Sequence, residues 1–243
     1  VHGVFAYSKA PECEVAAELS DTAHTRFAAN EVTTSGSSRD VSLTITSRGA
    51  GRSGSVRVNE IDEDSLKRAV ARSEELMALA PADPEFMEGL PPQTYPAIEA
   101  FHDDTAAAGA ETRRDGVRAT LERSRTKGLD ASGFYETEAS WSVLANRAGL
   151  FGFHRATSAS FSTTMRTADG TGSGWAGFAS PSIKEVNAGE MAARAASKAA
   201  SSAGPRDLPP GRYTVVLEPQ AVADLMGNLG FALSGRAADE GRG

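Results

Sequence analysis

Two periods alternate along this chain. Asp40 to Ser47 alternates cleanly, with Val41, Leu43 and Ile45 set against Ser42, Thr44 and Thr46, the pattern of a half-buried strand. Glu14 to Ser20 does the same with Val15, Ala17 and Leu19, and Thr25 to Thr33 reads as a further strand with Asn30 near a turn. Ser35 to Ser38 is turn-like. Gly49 and Gly51 break the alternation, and Gly54 to Asn59 resumes it. Each connection is too short for a crossover helix, so the pattern predicts an antiparallel meander. The period then lengthens. Leu66, Ala69, Val70, Ser73, Leu76, Met77 and Ala80 fall on one helical stripe. Asp62 is placed to cap that helix, Glu63 and Asp64 suit its first turn, and Pro81 and Pro84 stop it. Pro81 to Pro96 is proline-rich and reads as an extended inter-domain link.

The same succession returns. A weaker helix is expected over Thr105 to Lys127, with Val117 and Leu121 on its apolar side and Gly128 to close it. Gly109 and Gly116 each cost it about 1 kcal/mol. Strands are expected over Ser132 to Thr137, Ser140 to Asn146, Gly149 to Ala156, Ser158 to Arg166 and Gly174 to Phe178. Asn187 and Glu190 form a capping-box pattern before an Ala-rich helix, Ala188 to Ala203, ended by Gly204-Pro205. Phe27-Ala28-Ala29-Asn30 recurs as Val143-Leu144-Ala145-Asn146. Each is followed by a Ser/Thr-rich turn, an alternating strand, a glycine pair (Gly51 and Gly54; Gly172 and Gly174), a short strand and a helix. The expected fold class is α+β, with two related antiparallel strand-meander and helix units over 1–90 and 91–208; chance similarity of two antiparallel units is the alternative. Residues 209–243 read as the start of a β-rich third domain. There Tyr213, Val215 and Leu217 alternate as a buried strand, Pro219 suits a first helical turn, and Val222, Leu225, Met226, Leu229 and Leu233 mark an amphipathic helix.

Composition narrows the function. A net charge of −7 argues against non-specific nucleic-acid binding. The densest basic run, Arg113, Arg114, Arg118, Arg123, Arg125 and Lys127, is interleaved with Asp115 and Glu122 and reads as a solvated helix face. Cys13 is the only cysteine, so no intrachain disulfide forms, no thiol-rich metal site is available, and cytoplasm is the simplest location. A nucleophilic Cys13 lacks a nearby base and fits better as a small buried side chain. No apolar run approaches the roughly 18 residues of a membrane span, and the N-terminus shows no signal-peptide pattern.

Candidate chemistry is sparse. Gly172-Ser173-Gly174-Trp175-Ala176-Gly177 matches G-x-G-x-x-G, but a strand rather than a helix is expected after it, so a glycine-rich hairpin turn explains it better than a phosphate cradle. His2, His24, His102 and His154 never stand at ligand spacing. No G-x-S-x-G elbow exists. Asp103-Asp104 and Asp62-Glu63-Asp64 read as helix-start charges, not as paired catalytic carboxylates. His154, Trp141 and Trp175 are candidates for lining a peptide groove, with ordinary sheet and core roles as the alternative. The open edge of either meander is a further candidate for receiving an extended peptide.

Several segments in order resemble the TldD/PmbA (TldD/TldE) metallopeptidase-related family, once described as modulators of DNA gyrase. They are Arg26-Phe27-Ala28-Ala29-Asn30-Glu31-Val32-Thr33-Thr34-Ser35-Gly36, Ala145-Asn146-Arg147-Ala148-Gly149-Leu150-Phe151, Gly172 to Gly177, and Pro210-Gly211-Arg212-Tyr213-Thr214-Val215-Val216-Leu217-Glu218-Pro219. The resemblance implies an α+β first domain, a middle domain, a β-rich last domain, and a cytoplasmic complex of two related subunits. In the catalytic TldD-type subunit it implies His-Glu-x-x-x-His on the helix after the Val-Val-Leu strand, holding zinc for peptide hydrolysis. At the matching positions this chain has Gly227, Asn228 and Ala232. Glycine and alanine carry no ligand, and an amide is no general base. The resemblance therefore implies a TldE/PmbA-type subunit, about the N-terminal half of the family's length. No catalytic or metal residue and no cofactor is expected in this chain, and zinc is expected in a TldD-type partner. Self-association, a metallopeptidase with ligands beyond Gly243, and a peptide-binding scaffold remain as alternatives.

Overall fold

The computed structural model describes residues 2–242. The chain divides into two compact units, one reaching Pro205 and the other starting at Arg206. In the first, a short helix α1 (His2–Tyr7) precedes three strands, β1 (Glu12–Ala28), β2 (Glu31–Gly49) and β3 (Arg52–Val58), and then α2 (Glu63–Leu79). After the proline-rich segment come α3 (Asp103–Ala106), α4 (Ala110–Thr126), β4 (Leu129–Asn146), β5 (Phe151–Thr167), β6 (Ser173–Ser180), a 3₁₀ turn (Ile183–Glu185) and α5 (Ala188–Ser201). The expected α+β class holds.

All six strands join one antiparallel sheet in the order β3-β2-β1-β4-β5-β6. The two meanders run outward from a shared seam, where Glu14 faces Asn146 and Phe27 faces Gly133. Pairing fixes the faces, because directly opposed residues point the same way. Odd positions of β1, β4 and β5 carry the core: Val15, Phe27, Ala131, Tyr135, Phe161 and Met165. Helices cover only that side. Val70 joins Val15 and Ile45 in one cluster. Val117, Leu121, Met191 and Ala195 join Phe27 and Phe161 in the other. Even positions form the opposite face, largely of Ser, Thr and charged residues.

The repeat seen in the sequence has a mechanical reason in its glycines. A Cβ on Gly54 of β3 would stand 2.3 Å from the Ser73 carbonyl oxygen and the Met77 nitrogen of α2. A Cβ on Gly174 of β6 would stand 2.2 Å from the Ala195 carbonyl oxygen of α5. In each half the helix backbone lies directly on the outermost strand, at a distance that no side chain permits. Gly172 and Gly174 thus let α5 approach, so the G-x-G-x-x-G match is a packing device partly inside a strand, not only a hairpin turn.

The strands run longer than the pattern suggests. Ser35 to Ser38 is not a turn: it lies inside β2 and pairs residue for residue with Ala23 to Thr25 and Thr22 of β1. The breaks expected within β1, β4 and β5 are likewise absent, because each strand has a partner along its whole length that the local sequence does not reveal. The helix expected over Thr105 to Lys127 is split at Ala107 to Gly109. Asp62 does cap α2, accepting from the Ser65 amide at 2.9 Å, and Asn187 caps α5, accepting from the Glu190 amide at 3.1 Å. Arg113 departs from the solvated row. It is buried and donates to the Ala108 carbonyl at 3.2 Å and to Thr137 Oγ1 at 2.8 Å. Burial lowers its affinity for the proton. Cys13 is buried, and that burial pushes its thiol pKa up.

The second unit holds α6 (Pro219–Ala232) and α7 (Gly235–Asp239). The strand expected at Tyr213 to Leu217 is not formed. The segment has no regular secondary structure and pairs with no strand among the described residues, and Val216 is 97% exposed. Alternation only prepares a strand; a ladder partner makes one.

The glycine contacts are directly testable. Gly54→Ala and Gly174→Ala are each expected to destabilise the fold by about 2 kcal/mol or more in denaturant unfolding. Gly109→Ala, where a Cβ meets nothing within 4 Å, is expected to cost clearly less, only what alanine loses to glycine as the N-cap of α4.

Candidate functional site

The proline-rich segment is a strap on the sheet. It leaves the end of α2, where the Asp83 amide donates to the Gly51 carbonyl at 2.8 Å, and passes onto the helix-free face. There the Gly89 amide donates to Glu12 Oε2 at 2.9 Å, and Asn146 Nδ2 donates to the Leu90 carbonyl at 2.8 Å. Tyr95 lies over Gly152, within 3.5 Å of where a Cβ would stand. The strap then meets the edge of β5, where the Thr157 amide donates to the Ala100 carbonyl at 2.9 Å. Phe101 closes the passage. Its ring packs 5.7 Å from Trp141, and the Arg155 guanidinium sits 4.4 Å from its centre. Prolines suit this route because they hold an extended backbone without unmet N–H groups.

Between strap and sheet runs an open groove of about 430 Å³. Its floor includes Ala16 and Glu18 of β1, Ser142 and Leu144 of β4, and Gly152 and His154 of β5; Tyr95, Pro96 and Ile98 form the wall. The lining is mostly apolar with a few polar groups, the usual character of a ligand site. Glu18 reaches Arg57 at 3.6 Å, with both side chains exposed.

Of the three residues expected to line a peptide groove, His154 is in this one. Trp141 sits on the adjoining strand, with its ring committed to Phe101. Trp175 lies on β6 opposite Thr164, away from the groove, and its ring covers Gly177. The structure does not bring the three together. Asp103 and Asp104 stand in the first turn of α3, and Asp104 pairs with Lys184 at 3.0 Å.

Two asparagines emerge that motif reading passed over as site residues. Asn30 and Asn146 occupy corresponding hairpin ends of the two halves. Asn30 takes a positive φ of 61°, its Nδ2 donates to the Leu129 carbonyl at 2.9 Å, and its Oδ1 accepts from the Ala131 amide at 2.9 Å. Asn146 accepts from the Leu150 amide at 2.9 Å while holding the strap. Their recurrence within the repeated Ala-Asn pair was the available signal. Arg147 follows and donates to the carbonyls of Phe5 and Ala10 at 2.7 Å and of Ser8 at 2.6 Å, fixing the end of α1 to the same turn.

Gly227, Asn228 and Ala232 fall on α6, all exposed. A Cβ on Gly227 would meet nothing within 4 Å, so space is not what is missing there. Asn228 Nδ2 donates to the Asp224 carbonyl of its own helix at 2.9 Å. Among the described residues no cluster of His, Cys, Asp or Glu could hold a metal ion. Nor is any described helix long and apolar enough to cross a membrane.

Two family models match this chain: the PmbA/TldA metallopeptidase domain 1 over residues 13–77, and the PmbA/TldA metallopeptidase central domain over 97–203. Together they span more than half of it. Solved structures share the fold. One is TldE from Thermococcus kodakarensis, with TM-score 0.74 at 16% identity, covering 82% of this chain and 46% of that one. A proposed modulator of DNA gyrase from Thermotoga maritima gives 0.74 at 14% identity, with the same coverages. Another from Bacteroides thetaiotaomicron gives 0.72 at 16% identity, covering 97% of this chain and 56% of that one. The chain thus spans about half the length of the structures it resembles. No curated protein matches it.

Asn146→Ala removes both the strap bond and the turn bond. The expected loss is about 1–3 kcal/mol, with faster proteolytic cleavage between residues 85 and 98. Unchanged cleavage would show that the strap is held elsewhere.

Proposed function

The chain belongs to the PmbA/TldD metallopeptidase family, and we propose that it acts there as a non-catalytic subunit of a TldD/TldE-type zinc peptidase that cleaves peptides or unfolded polypeptides. The observation that carries this reading is the side-chain chemistry of α6. Gly227, Asn228 and Ala232 stand where the resemblance sets His-Glu-x-x-x-His, and none can ligate zinc or activate water. The described residues do not fit a zinc site, so no catalytic step is assigned to them, and the metal belongs in this reading to a partner. A cytoplasmic location is part of the same proposal.

The exposed apolar residues of the second unit support a role in assembly. Leu225, Met226 and Leu229 of α6 are about half exposed or more, and Val215 and Val216 before it are more so. Apolar surface of that kind marks contact with other protein. Ligands supplied by residues beyond Gly243 would make the protein a metallopeptidase in its own right. A peptide-binding scaffold without a protease remains the other reading.

Affinity-tagged chain expressed with a His-Glu-x-x-x-His homologue is expected to co-purify in fixed stoichiometry. Purification of each without the other, at matched expression, would contradict the proposal. Zinc added to this chain alone is expected to bind substoichiometrically by metal analysis after dialysis.

A further inference from the structure

The open stretch of β5 carries backbone groups that nothing answers. Thr157 donates its amide outside the sheet, to Ala100, so odd members of β5 turn their N–H and C=O away from β4. From Ala159 onward those odd members are paired by β6, which ends at Ser180 opposite Ala159. Phe151, Phe153 and Arg155 lie beyond that end. Among the described residues their outward amides and carbonyls have no partner. The strap does not fill the place. Pro96 has no N–H to give, and Tyr95 and Pro96 line the groove on the sheet face instead.

We propose that this edge, from Phe151 to Arg155, receives an extended apolar peptide as a seventh strand. The ladder of the sheet would continue outward, with main-chain bonds supplying affinity. Side chains of an added strand alternate between faces. On one face they would extend the row of Phe151 and Phe153, which are 60% and 56% exposed. On the other they would meet Gly152 and the strap at Ile98, also exposed. Both neighbourhoods are apolar, and the nearest cation, Arg155, is engaged with the Phe101 ring. A single strand fits this place better than a second copy of the chain, which would bring its own strap to the same edge. The site is not the degenerate helix α6, and it serves peptide capture whether or not a protease partner is present.

The test uses the isolated chain and a fluorescein-labelled hexapeptide of alternating valine and threonine, followed by fluorescence anisotropy. Saturable binding is expected. N-methylation of alternate amides, at the valines or at the threonines, should weaken binding about tenfold or more in one series and little in the other, because only one set faces the edge. Phe153→Pro removes an outward N–H that the β4 ladder does not use, so the variant should keep its circular dichroism and lose the peptide. Phe153→Ala should keep part of the binding. Absence of saturable binding, equal losses in both methylated series, or undiminished binding by folded Phe153→Pro would each overturn the proposal. So would a dimer of the wild-type chain in sedimentation that Phe153→Pro abolishes, since the edge would then belong to a second copy. No partner subunit enters the assay, so its outcome is independent of the co-purification above.

Discussion

Everything in the first unit depends on how closely a helix backbone can lie on a strand. At Gly54 and at Gly174 the separation leaves no room for a Cβ. That contact seats α2 on β3 and α5 on β6, and it brings the apolar stripes of the helices within reach of the core face that Val15, Phe27 and Phe161 share. One layer of helices therefore covers one side of a six-stranded sheet, and the other side is left to solvent, groove and strap. The arrangement is made twice, once on each side of the β1–β4 seam.

The strap follows from that one-sidedness. The chain must travel from the end of α2 to the start of α3, and it does so across the uncovered face. Asn146, Glu12 and Thr157 hold it at intervals, and Phe101 pins it between Trp141 and Arg155. Because it touches the sheet at few points, it encloses a groove beneath it and does not pair the outer edge of β5 that β6 leaves open. The two candidate peptide sites are consequences of one crossing.

Legibility in the sequence tracked the range of the interaction. Alternation at Val41, Leu43 and Ile45 and the helical stripe from Leu66 to Ala80 were readable, since each is set by burial on a local face. So were the caps at Asp62 and Asn187. The lengths of β1, β2, β4 and β5 were not, because Ser35 to Ser38 looks like a turn until β1 lies beside it. Tyr213 to Leu217 shows the converse, a well-patterned strand with no ladder. Of the site, His154 was nameable as a groove candidate, but its separation from Trp141 and Trp175 depends on register and on which face each strand presents. Nothing in the sequence marked Phe151, Phe153 and Arg155 as a binding edge; their significance lies in where β6 stops.

Family membership and the chemistry of α6 pull in opposite directions, and the proposed division of labour between two chains would reconcile them. Its most direct test is a zinc-dependent peptide cleavage assay run on this chain alone, on a His-Glu-x-x-x-His homologue alone, and on the two together. The account predicts no cleavage above background from this chain alone and full activity from the mixture. Full zinc-dependent cleavage by this chain alone would contradict it.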